Sequence, residues 1–174
     1  MSFQAWLAFA AATSVLLAIP GPTVMLVVSY ALSHGRRATL ATVAGVALGD
    51  FTALTCSVLG VGAVLAASAA LFTAVKWIGA AYLIYLGVKL WRAPATIGEA
   101  AAVAAGAETR LGRILFHAFA VTALNPKGIV FFIAFLPQFL DPAQPMGPQI
   151  AVVTATFVGL AAANAGIYAL MASA

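Results

Sequence analysis

Leu16-Leu17-Ala18-Ile19-Pro20-Gly21-Pro22-Thr23-Val24-Met25 places three helix breakers in the middle of an apolar run from Ala5 to Leu32. A proline inside a helix removes a hydrogen bond and clashes with the preceding turn, and a glycine between two prolines adds backbone freedom, so the helix must break or kink here. The run is longer than the roughly 20 residues that cross a bilayer, which leaves room for an unwound piece. Backbone groups freed at membrane depth are tolerated only where they face protein or a water-filled cavity. A second break, Asn125-Pro126-Lys127, interrupts the apolar run from Ile114 to Phe135. Two interrupted spans in corresponding places point to a transport site.

The membrane itself follows from composition. Of 174 residues 64% are hydrophobic and 7% charged, and the mean hydropathy is +1.10, more apolar surface than a soluble domain of this size can hide. The chain therefore reads as an all-α integral membrane protein. Its net charge of +4 is carried by Arg36, Arg37, Lys76, Lys89, Arg92, Arg110, Arg113 and Lys127, most of which flank apolar runs; this is topology rather than nucleic-acid binding. Cys56, the single cysteine, lies in an apolar run, which excludes an internal disulfide or a cysteine-pair redox relay and reads as a packing residue. Ala10, Ala11 and Ala12 resemble a signal-peptide end, but no Lys or Arg precedes them and the apolar run continues, so the first helix reads as retained.

Five spans result: Ala5 to Leu32, about Thr39 to Ala66, about Leu71 to Trp91, about Ile114 to Phe135, and Gln149 to about Ala172. Gly45, Gly49, Gly60 and Gly62 in the second are spaced as small residues that let helices approach closely. A short polar turn falls at Ser33 to Arg37, the next turn at Ser68 to Phe72, and Pro137, Asp141, Pro142, Pro145 and Pro148 form a rigid turn. Residues 93–113, with Pro94, Gly98, Glu99, Gly106 and Glu108 among alanines, read as a flexible linker or a short surface helix. Positive charge concentrates at Arg36 and Arg37 and between the third and fourth spans, so both loops are expected in the cytoplasm and the N-terminus outside.

The linker separates residues 1–92, a first group of three spans, from residues 114–174, a second group that enters the membrane in the opposite sense. The broken helices, first and fourth, open each group. Gly45 precedes Asp50 by five residues as Gly159 precedes Asn164, which aligns Asp50 with Asn164 in an inverted repeat.

The run Pro20-Gly21-Pro22-Thr23, the stretch Gly45-Val46-Ala47-Leu48-Gly49-Asp50, the run from Trp77 to Lys89 and Asn125-Pro126-Lys127 with Phe131-Phe132 together resemble the LysE/RhtB family of amino-acid exporters. The resemblance covers nearly the whole chain. It implies a multi-pass protein of the bacterial cytoplasmic (inner) membrane, with six spans as a 3+3 inverted repeat, that expels amino acids such as lysine, threonine, homoserine or leucine using the proton gradient. This chain ends where the family's fifth span ends, so the second repeat is expected to lack its last span. The partners expected are a small amino acid, protons and the lipid bilayer, with room for a homodimer; no cofactor, metal or nucleic acid is called for, and no enzymatic reaction.

An ionisable side chain inside a span costs about 2.5 to 3.5 kcal/mol on insertion scales and is a functional candidate for that reason. Asp50 could exchange a proton or hold a substrate ammonium; the plain alternative is a carboxylate satisfied by neighbouring helices. Lys127 could receive a substrate carboxylate, pair with Asp50, or cap carbonyls freed by Pro126. The breaks expose backbone amides at Thr23 and Gly128, where a helix start favours an anion. Asn125 and Asn164 are interhelical hydrogen-bond formers, and His34 and His117 read as interfacial. The candidate pathway is thus Pro20, Gly21, Pro22, Thr23, Asp50, Asn125, Pro126, Lys127 and Asn164. Two other readings compete with amino-acid export: an exporter of metal ions or other small solutes, which would need several intramembrane ligands, and a truncated fragment that does not transport.

Overall fold

The computed structural model describes residues 1–92 and 110–173; the greater part of the expected linker, 93–109, lies outside them. Every element among the described residues is helical. Helix α1 (Phe3–Ala18) starts at Ser2, whose hydroxyl accepts from the Ala5 amide at 3.1 Å. It stops at Ile19, which is extended (φ −74°, ψ 114°) because a residue preceding proline is pushed out of the helical region. Helix α2 (Pro22–Ala67) then begins on Pro22, a position where a missing N–H costs nothing.

One residue interrupts α2. Gly35 sits at φ 66° and ψ −158°, a region essentially reserved for glycine, and divides the helix into segments 22–34 and 36–67. The turn expected over Ser33 to Arg37 is therefore a one-residue break. Helix α3 (Ala69–Trp91) follows Ser68, whose hydroxyl accepts from the Leu71 amide at 3.2 Å. Helices α4 (Leu111–Ala123) and α5 (Pro126–Ala134) meet at 45° across Leu124 and Asn125. A 3₁₀ turn, Leu136–Phe139, leads to α6 (Met146–Ser173). Gln149 holds that connection, accepting from the Asp141 amide at 2.8 Å and donating back to the Asp141 carbonyl at 2.9 Å.

By length and composition three stretches can cross a membrane, Pro22–Gly60, Ala70–Lys89 and Met146–Ala172, and four if α4 and α5 make one bent span. Helix α1 has 16 residues, about 24 Å at 1.5 Å per residue, less than the roughly 30 Å of a hydrocarbon core. A count of five requires joining α1 to segment 22–34 across the first break and counting 36–67 separately.

Helix α2 is the centre of the bundle: α4 and α6 pack along it, α3 packs on α5, and α1 on α6. Gly45 and Gly49 make the α2 and α4 approach possible. A Cβ on Gly49 would stand 2.7 Å from Thr122 Cβ and 2.8 Å from the Phe119 carbonyl, and one on Gly45 would collide with the Leu115 carbonyl. Gly60 and Gly62, expected to serve likewise, have nothing within 4 Å. Gly79 of α3 has the role they lack, lying against Ala134 of α5. Cys56 is also misread from sequence: it is exposed, because it shares the outward face with Thr55 and Leu59 while Ala53, Leu54 and Ser57 turn inward. Along apolar outer faces the hydroxyls of Ser14, Thr52, Thr55 and Thr156 each donate to the carbonyl four residues back, at 2.7 to 2.8 Å, which satisfies them without water.

Replacing Gly49 with Ala should cost about 1–3 kcal/mol through overpacking against α4. The same change at Gly60, in open space, should be neutral or stabilising by roughly 1 kcal/mol from helix propensity. Thermal unfolding of the two variants in detergent checks this, and equal melting temperatures would show that α2 and α4 do not meet through Gly49.

Candidate functional site

The end of α1 leaves carbonyl oxygens with no partner inside the helix, and at membrane depth each must find a donor. Four consecutive ones are met by side chains from the other half of the chain. Lys127 Nζ donates to the Leu16 carbonyl at 3.0 Å and the Ile19 carbonyl at 2.8 Å. Asn164 Nδ2 donates to the Leu17 carbonyl at 3.2 Å, and the Tyr168 hydroxyl to the Ala18 carbonyl at 3.0 Å. An ammonium at this position also meets the negative end of the α1 dipole.

The second break is what delivers the lysine. Asn125 is extended and caps α5, its Oδ1 accepting from the Lys127 amide at 3.1 Å, with Pro126 at the first helical position. The Asn125 Nδ2 donates to Thr23 Oγ1 at 3.2 Å, and Thr122 Oγ1 donates to the same oxygen at 3.3 Å. A Cβ placed on Gly21 would lie 3.6 Å from Lys127 Nζ. The two breaks are therefore in contact. Lys127 does cap carbonyls, but those freed by the first break, not those freed by Pro126.

Asp50 reaches the same place from segment 36–67 of α2. Among the described residues Asp50 and Lys127 are the two buried charged side chains, 7% and 8% exposed. No hydrogen bond to the Asp50 carboxylate is formed among the described residues, and Lys127 is the cation that shares its cavity. Both line a cavity of about 40 Å³. Gly21, Thr23, Asn125, Gly128 and Asn164 add polar or backbone surface to it, and Val24, Val27, Val46, Phe157, Ala161 and Ala165 close it with apolar surface. Of the residues singled out from sequence, Pro20, Pro22 and Pro126 do not line the cavity; they shape the breaks that do. Tyr168 joins the α1 caps with one signal in the sequence, its place four residues after Asn164 on an apolar helix, which puts both on one face. Leu16 and Lys127 also form part of the wall of a separate apolar groove of about 560 Å³ between α1, α3 and α5.

Space decides what the cavity can hold in this state. At about 10–15 Å³ per water, 40 Å³ admits roughly two to four waters, so any solute larger than that needs the helices to part. Apolar clusters shut it on both sides. Phe9, Phe131, Phe132, Leu136 and Phe157 pack on one, with Phe132 and Phe157 edge to face at 4.6 Å, and Val27, Ala31, Val46, Ala165 and Ala169 pack on the other.

A membrane bundle with two broken helices whose freed ends and buried opposite charges enclose a small central cavity has the construction of a secondary transporter. Residues 14–174 match the model of the LysE type translocator family, and the chain belongs to that family. It is 37% identical over 160 residues to an uncharacterized membrane protein of Vibrio cholerae, covering 91% of this chain and 76% of the relative. It is 34% identical over 158 residues to a homoserine/homoserine lactone efflux protein of Salmonella typhimurium, covering 91% and 75%. A leucine efflux protein of Salmonella choleraesuis is 30% identical over 127 residues, covering 73% of this chain and 59% of that one. No solved structure matches the chain.

Lys127→Met should lower stability steeply, because it removes two hydrogen bonds from a charged donor, each worth about 1.5–3 kcal/mol, and leaves Asp50 buried without its counter-charge. Adding Asp50→Asn to Lys127→Met should recover part of that loss. A double-mutant cycle of melting temperatures in detergent measures the coupling, and strict additivity would show that the two charges do not interact.

Proposed function

We propose that this protein is a secondary exporter of a small neutral amino acid, working across the bacterial inner membrane by alternating access and driven by protons. The observation that carries the reading is the convergence of both helix breaks and both buried charges on one cavity. An α-amino acid brings a carboxylate and an ammonium a few ångströms apart. Lys127, with the amides at Thr23 and Gly128, suits the carboxylate, and Asp50 suits the ammonium. A zwitterion leaves the charge of the site unchanged, which keeps its burial affordable.

The rest of the lining favours a neutral side chain over a basic one: Val24, Val27, Val46, Phe157, Ala161 and Ala165 offer apolar contact and no second carboxylate. Two relatives named for efflux, one of homoserine and its lactone and one of leucine, support that reading. Asp50 is also the group we assign to proton exchange, taking the proton when the ammonium leaves. Residues 1–92 and 114–174 act in this scheme as inverted repeats that rock about the site, the linker between them facing the cytoplasm.

Counterflow of radiolabelled homoserine, leucine and lysine in proteoliposomes tests the function. Uptake of a neutral amino acid and not of lysine is expected, and uptake of none of them by folded protein overturns the reading. Asp50→Asn should abolish pH-driven export in the folded protein, since an amide of nearly the same volume cannot titrate. Gly21→Val should impair transport more than folding, because a branched side chain stiffens the break and fills the space beside Lys127.

Orientation has its own check. Cysteines introduced at Ser33 and Ala100 in a Cys56-free background should resist an impermeant maleimide added to intact cells. Reaction from outside would invert the topology.

A further inference from the structure

The two apolar closures of the cavity differ in kind. One is a stack of phenylalanines, whereas the other is built of valines and alanines, with less surface to hold it shut. Beyond this weaker closure lies a polar arrangement outside the cavity. Tyr30, fully buried on segment 22–34, has its hydroxyl 2.9 Å from His117 Nδ1 on α4, the rings edge to face at 5.9 Å. His34, one turn further along the same segment, has its ring centroid 5.9 Å from that of Tyr30. Both histidines of the chain thus converge on one tyrosine.

Segment 22–34 packs on α4 through Leu26 and Tyr30 against Ile114 and Ala118, and hydrogen bonds tie the two at two heights. Thr23 with Thr122 and Asn125 makes one tie at the cavity wall, and Tyr30 with His117 makes the other. Seven residues, two helical turns, separate Thr23 from Tyr30, so both ties fall on one face of a rigid piece. That piece ends at Gly35. Nothing lies within 4 Å of the place a Cβ would take there, so crowding does not impose the glycine; the backbone conformation does. A glycine in such a conformation inside a long helix can take up the dihedral change of a hinge.

We propose that the Tyr30 and His117 hydrogen bond is the latch of the gate at the end of the bundle that carries Arg36 and Arg37, with Gly35 as its hinge. Releasing the bond lets segment 22–34 swing from α4, separates Val27 from Val46 and opens the cavity toward that end. His34 Nδ1, buried and without a hydrogen-bond partner among the described residues, offers the Tyr30 hydroxyl a second hydrogen-bond partner on release. Because Thr23 stands in the cavity wall on the same piece, a ligand that displaces the Thr23 tie loosens the latch two turns away. The proposal rests on the cavity being the transport site.

The test uses the full chain, with Cys56 replaced by Ala and Val46→Cys as a reporter on the cavity side of the closure. The rate of reporter modification by a small water-soluble methanethiosulfonate is measured with no substrate present. Tyr30→Phe, which keeps the ring and removes the hydroxyl, should raise the rate roughly two- to tenfold, the population change that loss of one hydrogen bond allows. His117→Leu should do the same, and the double variant no more than either. Gly35→Ala should slow modification below that of the parent. An unchanged rate in Tyr30→Phe, or independent effects of Tyr30→Phe and His117→Leu, overturns the latch. If Tyr30→Phe does not fold, His117→Leu and Gly35→Ala decide by the same criteria. Modification that follows the latch in a protein giving no counterflow would sink the transport reading alone; counterflow with unresponsive modification would sink the latch alone.

Discussion

Four carbonyl oxygens at the end of α1 set the terms for everything around them. Inside a membrane they have no water to bond, and a helix cannot satisfy its own last turn. Leu16, Leu17, Ala18 and Ile19 solve this by drawing donors from α5 and α6, which ties the first helix of the chain to its second half. The requirement then spreads. A lysine is needed at depth, its charge calls for a carboxylate nearby, and the break that presents the lysine needs its own cap in Asn125 and its own partner in Thr23. The cavity is the space these groups leave between them.

Much of this was legible in the sequence because the features are chemically loud. Prolines inside apolar runs, an aspartate at the middle of a span and a lysine after a break are each expensive in lipid, so each announces itself. Glycine spacing was less informative, since it says that a close approach is possible but not which neighbour supplies it: Gly45 and Gly49 meet α4, whereas Gly60 and Gly62 meet nothing. Cys56 shows the limit of composition in a membrane protein, where apolar positions on a helix face lipid as readily as protein. The acceptors of Lys127, the Tyr168 cap and the bond between Tyr30 and His117 depend on tertiary contacts 87 to 150 residues apart, and no local pattern encodes such pairs.

The bundle treats its two ends differently. Toward the 3₁₀ turn, aromatic rings interlock from α1, α5 and α6, and Trp6 Nε1 adds a 3.0 Å hydrogen bond to Thr156 between α1 and α6. Toward Gly35, valines and alanines, a smaller cluster of Leu26, Tyr30 and Ile114 and two polar ties do the same work. Rings that interdigitate resist partial separation, because each loses many contacts at once, while a layer of alanines with a few hydrogen bonds can part with little strain. The difference gives the two sides of the site unequal stiffness within one fold.

The long reach of the α1 caps has a consequence for biosynthesis. The donors to Ile19, Leu17 and Ala18 lie 108, 147 and 150 residues further along the chain. At about 5–20 residues per second a ribosome needs roughly ten seconds to make up that distance, and until Lys127 is made the end of α1 has none of its final partners. Those carbonyls must stay in contact with water or the insertion machinery until α6 emerges. Helix α1 is thus made long before it can be completed.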